Sequence, residues 1–296
     1  MTSQRSSLTL NVLAALFLAV SVTMLTDFSH RMLNSDPDSL GILSVSVQAA
    51  FTVIASSAFT RAGWSWLGGL LASFGAGIHN RATWRFGMSL GLMLVLGPLW
   101  YFLPGRLAQH YNARAFNIRN DDPGRALQDY QRALALDPTL YLAYVNLGGL
   151  FESFYRYDDA ASQYRKAITA NHKDPTPYNN LARMLLLTGD SLTALRIVED
   201  ASRLNPNAQV TAALLKNKAW AELNLGFYPQ AIEDATRSNS AAAECILGKV
   251  YAKLGKSADA VAAWKSFREK SASPKDGDPV IEPDCKLLAE VANENH

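Results

Sequence analysis

The sequence predicts an all-α protein in which N-terminal transmembrane helices precede an α-solenoid of about five helical hairpins. Two observations carry this prediction. Residues 1–104 are dominated by long apolar runs, and residues 107–274 repeat one pattern, with three units at exact 34-residue intervals and two offset units after them. Apolar runs of about 20 residues suit the thickness of a bilayer, and a fixed period of this length is typical of stacked helical units.

Charge follows the same division. Only three of the 26 acidic residues and five of the 28 lysines and arginines precede residue 104, so the rest of the chain carries acids and bases in equal number. A balanced surface offers no polycation to neutralise phosphates, and we therefore expect no nucleic-acid partner. The five histidines are scattered without a helical i, i+4 pair, so we expect no metal site and no cofactor.

Four apolar segments are predicted to cross the membrane: residues 8–25, 40–60, 63–78 and 86–103. Arg5 followed by an apolar run would also suit a secretory signal peptide. No clear cleavage site follows that run, however, and further apolar segments do. The sequence therefore predicts a multi-pass protein of an inner or plasma membrane.

The distribution of arginines predicts the orientation, because cytoplasmic loops are enriched in Lys and Arg. With four spans and a cytoplasmic N-terminus, five arginines are cytoplasmic and three are external, which places the repeats in the cytoplasm. With three spans the count is four against four, and the repeats would lie on the other side. Four spans are favoured, and three remain open.

The repeat region divides into five units, each with two apolar-periodic helices. Their boundaries are 107–140, 141–174, 175–208, 212–240 and 241–274. One alanine recurs at the same position of each unit: Ala126, Ala160, Ala194, Ala231 and Ala260. A small residue faces it from the first helix in four units, whereas Arg114 stands there in the first unit and makes its packing doubtful.

This pattern resembles the tetratricopeptide repeat (TPR) family. The resemblance implies a TPR α-solenoid whose first helices line a concave, protein-binding face. We expect no enzymatic activity, because the sequence shows no glycine-rich phosphate loop and no Ser, Cys or His constellation with assignable partners.

An asparagine stands at the sixth position of four successive first helices: Asn112, Asn146, Asn180 and Asn217. A carboxamide both donates and accepts hydrogen bonds, so a row of them can pair with an extended peptide backbone. The row is similar to one in O-linked N-acetylglucosamine transferase, whose repeats hold extended peptides. Neighbouring positions add a mild basic bias that would favour an acidic peptide: Asn179, Arg183, Lys216 and Lys249. The alternative is that these residues satisfy local polar groups or form a solvated face.

Residues 275–296 are predicted to form a linker and a C-terminal capping helix, which would cover the last repeat. Whether Cys245 and Cys285 pair stays open. Two cysteines are too few for a disulfide framework.

The predicted function is a membrane-anchored TPR scaffold that binds an extended segment of a protein partner and assembles or recruits a membrane-associated complex. The alternative is an integral accessory subunit of a membrane transport, export or envelope-biogenesis machine. In that case the transmembrane helices would make the main contacts with a membrane-protein partner.

Overall fold

The structure, a computed structural model of the chain, describes residues 2–35, 44–49, 51–52, 65 and 81–271. Most of the predicted span 40–60, nearly all of 63–78 and the predicted linker and capping helix at 275–296 lie outside these residues. Cys285 lies outside them as well.

The described part of the chain is helical and contains no strand. Residues 44–49 are helical, and the longer helices are α1 (Thr2–Ser35), α2 (Arg81–Ile118), α3 (Pro123–Leu136), α4 (Tyr141–Ser153), α5 (Tyr157–Ala170), α6 (Thr176–Leu187), α7 (Ser191–Ser202), α8 (Ala208–Leu225), α9 (Tyr228–Ser238), α10 (Ala241–Lys253) and α11 (Ser257–Ser271). They fall into two compact units, residues 1–140 and 141–296.

In the first unit, α1 and α2 pack side by side and run parallel. Arg85 Nη1 donates to Asn11 Oδ1 at 3.3 Å, and Trp100 Nε1 donates to Asp27 Oδ2 at 2.8 Å. Residue numbers therefore rise together along both helices. Residues 44–49 run antiparallel to α1, with Ser29 Oγ donating to the Ser44 carbonyl at 3.0 Å.

Two stretches of these helices, Thr9–Met32 and Arg85–Ile118, are long and apolar enough to cross a membrane. Only 17% and 6% of their apolar windows are buried within the protein, unlike the core helix of a soluble domain. If both helices cross, their parallel direction contradicts the expected four-span arrangement, because the first and fourth of four consecutive spans run in opposite directions.

The helix is not interrupted at the predicted boundary between the span 86–103 and the first repeat unit at 107–140. The predicted span 86–103 and the first helix of the first repeat form the single helix α2, with Pro98 and Pro104 inside it. Each proline removes one i→i−4 hydrogen bond.

The first hairpin, formed by the end of α2 and by α3, is held by an ion pair. Arg114 donates from Nε to Asp129 Oδ2 at 2.6 Å and from Nη2 to Asp129 Oδ1 at 2.5 Å. Asp129 is fully buried. The arginine that made this unit doubtful thus packs through a bidentate pair, where the other hairpins have a small residue.

In the second unit, residues 141–271 form four hairpins: α4–α5, α6–α7, α8–α9 and α10–α11. The recurring alanine is 0–2% exposed in each. Gly148 lies so close to the buried Tyr164 ring that an added Cβ would stand 2.6 Å from Tyr164 Cε1. The small residues predicted on the first helices therefore let the second helix pack closely. In this hairpin, the side chain that approaches Gly148 is the aromatic ring of Tyr164 on α5.

The turns within these hairpins share one left-handed residue. Gly189, Gly226 and Gly255 have φ values of 90°, 81° and 72°. Tyr155 takes the same place in the α4–α5 hairpin with φ 59°. A side chain in this region is strained, and Tyr155 is 77% exposed.

Candidate peptide-binding groove

The residues predicted to bind a peptide all lie on first helices of hairpins. Asn112 lies on α2, in the first unit. The others are in the second unit, where α4 carries Asn146, α6 carries Asn179, Asn180 and Arg183, α8 carries Lys216 and Asn217, and α10 carries Lys249. Asn112, Asn146, Asn179 and Asn180 are partly exposed.

Asn217 is fully buried and connects two first helices. Its Nδ2 donates to Asn179 Oδ1 at 2.8 Å and to the Asn179 carbonyl at 3.1 Å. Among the described residues, Asn217 Oδ1 has no hydrogen-bond partner. Asn217 thus fixes the position of Asn179 on α6 and does not itself reach the surface.

Arg183 is compensated by Glu152 on α4. The two side chains form a bidentate ion pair, with Arg183 Nη2 donating to Glu152 Oε2 at 2.8 Å. Both are largely buried, with 14% and 13% of the side chains exposed. Tyr164 Oη donates to the same carboxylate at 3.1 Å, and burial raises the pKa of this tyrosine. Arg183 therefore joins adjacent hairpins and contributes little uncompensated charge.

A second buried charge cluster links α8 and α9. Lys218 Nζ donates to Asp234 Oδ2 at 2.5 Å and lies 3.5 Å from Glu222 Oε1. Burial raises the pKa of Glu222 to about 7, although Lys218 opposes this shift. Burial acts to lower the pKa of Lys218, but the bond to Asp234 raises it overall. The i, i+4 spacing of Lys218 and Glu222 is visible in the sequence, whereas their approach to Asp234 is tertiary.

Lys249 lies in a groove of about 800 Å³ between the last two hairpins of the second unit. The groove also contains Lys253, one turn along α10, and Asn224 near the end of α8. The remaining lining residues are Leu223, Leu225, Gly226, Tyr228, Ala252 and Trp264. Two ammonium groups beside a carboxamide and aromatic rings suit a peptide with carboxylates. Lys253 and Asn224 were not predicted to bind a peptide. Each is the thirteenth residue of its repeat unit, one helical turn after the ninth position, which Lys249 occupies in the last unit.

Metal ligands do not gather in this groove or elsewhere in residues 2–35, 44–49, 51–52, 65 and 81–271: no three His, Cys, Asp or Glu side chains come together there.

Comparison with solved structures identifies the fold. The chain is similar to PilW, a widely conserved type IV pilus biogenesis factor, with a TM-score of 0.51 and 17% identity over 56% of this chain and 78% of PilW. PilF of Pseudomonas aeruginosa gives a TM-score of 0.51 and 15% identity over 65% of this chain and 91% of PilF. YrrB, a TPR protein with an unusual peptide-binding site, gives a TM-score of 0.46 and 21% identity over 62% of this chain and 90% of YrrB. No protein-family model and no curated protein sequence matches the chain.

The helical hairpins thus form an α-helical repeat array. These structural neighbours are TPR proteins, and together with the 34-residue period they show that the repeats have the tetratricopeptide fold. At identities below 25% this likeness establishes the fold alone.

Proposed function

We propose that this protein is a membrane-anchored TPR scaffold that binds an extended, acidic segment of a protein partner and recruits it to a membrane-associated complex. The observation that carries the proposal is the groove containing Lys249 and Lys253. Its two lysines lie one helical turn apart, so their ammonium groups can contact carboxylates on the same face of a bound segment.

The asparagines extend this proposed surface along the first helices. Asn146 and Asn180 are partly exposed and can pair with a peptide backbone. Asn179 is positioned by Asn217. Neighbouring helices lie about 8–10 Å apart, and an extended chain advances about 3.3 Å per residue. An extended segment can therefore meet one first helix at about every third residue.

The proposed anchor rests on α1 and α2, which expose large apolar side chains. In α2, Leu94 and Val95 are 65% and 66% exposed, and in α1, Val12 and Leu16 are 51% and 56% exposed. Such a surface is unfavourable in water and favourable in lipid.

The test compares three variants of the full chain. After a partner is co-purified in mild detergent, peptides covering its acidic segments are titrated against the wild type, Lys249→Ala with Lys253→Ala, and Lys256→Ala. The double variant should bind at least about tenfold more weakly, since each charge-assisted contact contributes roughly 1.5–3 kcal/mol. Lys256 is exposed in a turn outside the groove, so its variant should match the wild type. Equal affinity in all three would remove the groove from the proposal.

The asparagine row is tested separately. Asn146→Ala with Asn180→Ala should weaken peptide binding while leaving the melting temperature nearly unchanged. Asn217→Ala should instead lower the melting temperature, because it releases Asn179 and leaves a cavity between α6 and α8. If the first double variant binds normally, the asparagines serve local structure only.

The accessory-subunit alternative is favoured by one feature. Tyr101 and Phe102 on α2 pack edge to face with ring centroids 4.8 Å apart, and they are 71% and 63% exposed. Exposed aromatics of this kind can bind a partner helix or lie at the membrane surface. If Tyr101→Ala with Phe102→Ala abolishes co-purification and the lysine variants do not, the membrane part makes the main contacts.

A further inference from the structure

The direction of the two candidate membrane helices is fixed by contacts at both ends. Near their N-terminal ends, Arg85 on α2 bonds Asn11 on α1, and further along, Trp100 bonds Asp27. An apolar cavity of about 420 Å³ between them confirms the pairing, because residues 24–32 of α1 and residues 96–107 of α2 line it together. The C-terminal parts of both helices thus lie side by side.

Two parallel spans enter the membrane on one face and leave it on the other. We propose that the N-terminus is cytoplasmic and that the repeats lie on the opposite, extracytoplasmic face. This inference rests on the proposed membrane anchor. It follows from the helix direction because the first hairpin continues directly from α2, and no helix described after α2 is long and apolar enough to cross again.

The assignment of faces rests on arginines near the helix ends. Arg5 precedes the apolar part of α1, and Arg81 and Arg85 begin α2, with no acidic residue among residues 1–8 or 81–85. At the other ends stand Arg31, which pairs with Asp27 at 2.9 Å, and Arg106, whereas Arg114 and Arg119 belong to the folded first hairpin and its turn. Charges in folded domains influence orientation less than short juxtamembrane segments do. Outside that hairpin, three arginines stand at the starts of α1 and α2 against two at their other ends. The positive face is therefore the one at the start of both helices, and it is cytoplasmic.

The extracytoplasmic location of the repeats limits which proteins can be the partner. The acidic segment bound by the groove belongs to a protein exposed outside the cytoplasm, either secreted or presented by an extracytoplasmic domain. A soluble cytoplasmic protein would have no access to the repeats.

The experiment uses the full chain with different epitope tags at its N-terminus and C-terminus. Sealed right-side-out vesicles are treated with protease, and both tags are detected by immunoblot before and after detergent. The expected result is loss of the C-terminal tag and protection of the N-terminal tag. Loss or protection of both tags would overturn the parallel arrangement, and the reverse pattern would overturn the assigned faces.

Two further measurements distinguish the failures. Extraction at pH 11 tests the anchor itself, because release of the chain into the supernatant contradicts the proposed membrane function whatever the tags show. In a chain with both native cysteines replaced by Ser, Asp27→Cys should crosslink with Trp100→Cys under mild oxidation. Asp27→Cys should not crosslink with Arg85→Cys, the pair expected for antiparallel spans. The opposite crosslinking pattern overturns the helix direction.

Discussion

Replacing Glu222 with Gln should stabilise the repeats at pH 8 and alter their stability little at pH 5. Glu222 is 4% exposed on α8 and shares Lys218 with the buried Asp234. Lys218 donates its 2.5 Å hydrogen bond to Asp234 and lies 3.5 Å from Glu222. The Glu222 carboxylate is therefore incompletely compensated, and its Oε2 has no hydrogen-bond partner among the described residues.

The sign follows from the direction of the pKa shift. Burial raises the pKa of Glu222 from 4.5 to about 7 in the folded state. The folded state consequently holds a proton that the unfolded state releases between these values, so the stabilising effect is full below pH 4.5 and is lost as pH rises through 7. At 1.36 kcal/mol for each tenfold change in proton affinity, the loss amounts to roughly 3 kcal/mol above pH 7. Gln carries no charge at any pH, so the Glu222→Gln variant does not show this loss of stability.

The free energy of unfolding of wild type and Glu222→Gln is measured by urea denaturation at pH 5 and pH 8, followed by circular dichroism. The expected difference at pH 8 is about 3 kcal/mol in favour of the variant, and at pH 5 it is under about 1 kcal/mol. Glu233→Gln is the control, because the Glu233 side chain is 72% exposed. A difference of equal size at both pH values would show that Glu222 is ionised throughout and would refute the reasoning.

Three other predictions concern the packing, and each is tested by urea denaturation of the variants named. Tyr155→Gly should raise the free energy of unfolding by about 0.5–1 kcal/mol, because glycine adopts the left-handed backbone without strain and the ring that is lost is exposed. A lower free energy of unfolding would show that the ring packs on the fold. Gly148→Ala should cost about 1–3 kcal/mol, since its Cβ would lie 2.6 Å from a buried tyrosine ring, whereas the exposed neighbour Gly149→Ala should gain about 1 kcal/mol. Arg114→Ala should cost about 1–3 kcal/mol, because it removes the bidentate partner of the buried Asp129 and leaves only the longer contact with Arg132 at 3.5 Å, and Arg114→Met with Asp129→Leu should recover most of that loss.

The repeat hairpins were predictable because their signals are local. A small residue at a fixed place lets helices approach, and glycine marks the left-handed turn, as at Gly189, Gly226 and Gly255. Tyr155 occupies the same turn without a glycine, so its conformation could be inferred only from its register in the repeat. The continuity of α2 was not predictable. Proline usually ends a helix in water, and the sequence does not show which neighbours satisfy the freed carbonyls.

The candidate groove was predictable in part. The repeat register placed Lys249 and the asparagines on first helices. It could not show that the Asn217 side chain is buried and bonded to Asn179, or that Arg183 forms an ion pair with Glu152, 31 residues earlier. Charge compensation depends on distances between hairpins, whereas the sequence reports only positions within each one.

The continuity of α2 also bears on how a bound partner would be held. Its 38 residues correspond to about 57 Å at 1.5 Å per residue, nearly twice the hydrocarbon thickness of about 30 Å. About half of the helix must therefore extend beyond the bilayer if α2 crosses it. The extending part contains Arg114, which the ion pair with Asp129 fixes to α3. Since no flexible linker separates the span from the first hairpin, that hairpin would stand at a defined height and rotation above the membrane surface. A proline or glycine linker inserted after Leu103 should therefore leave peptide affinity in detergent unchanged and weaken recruitment to the membrane complex.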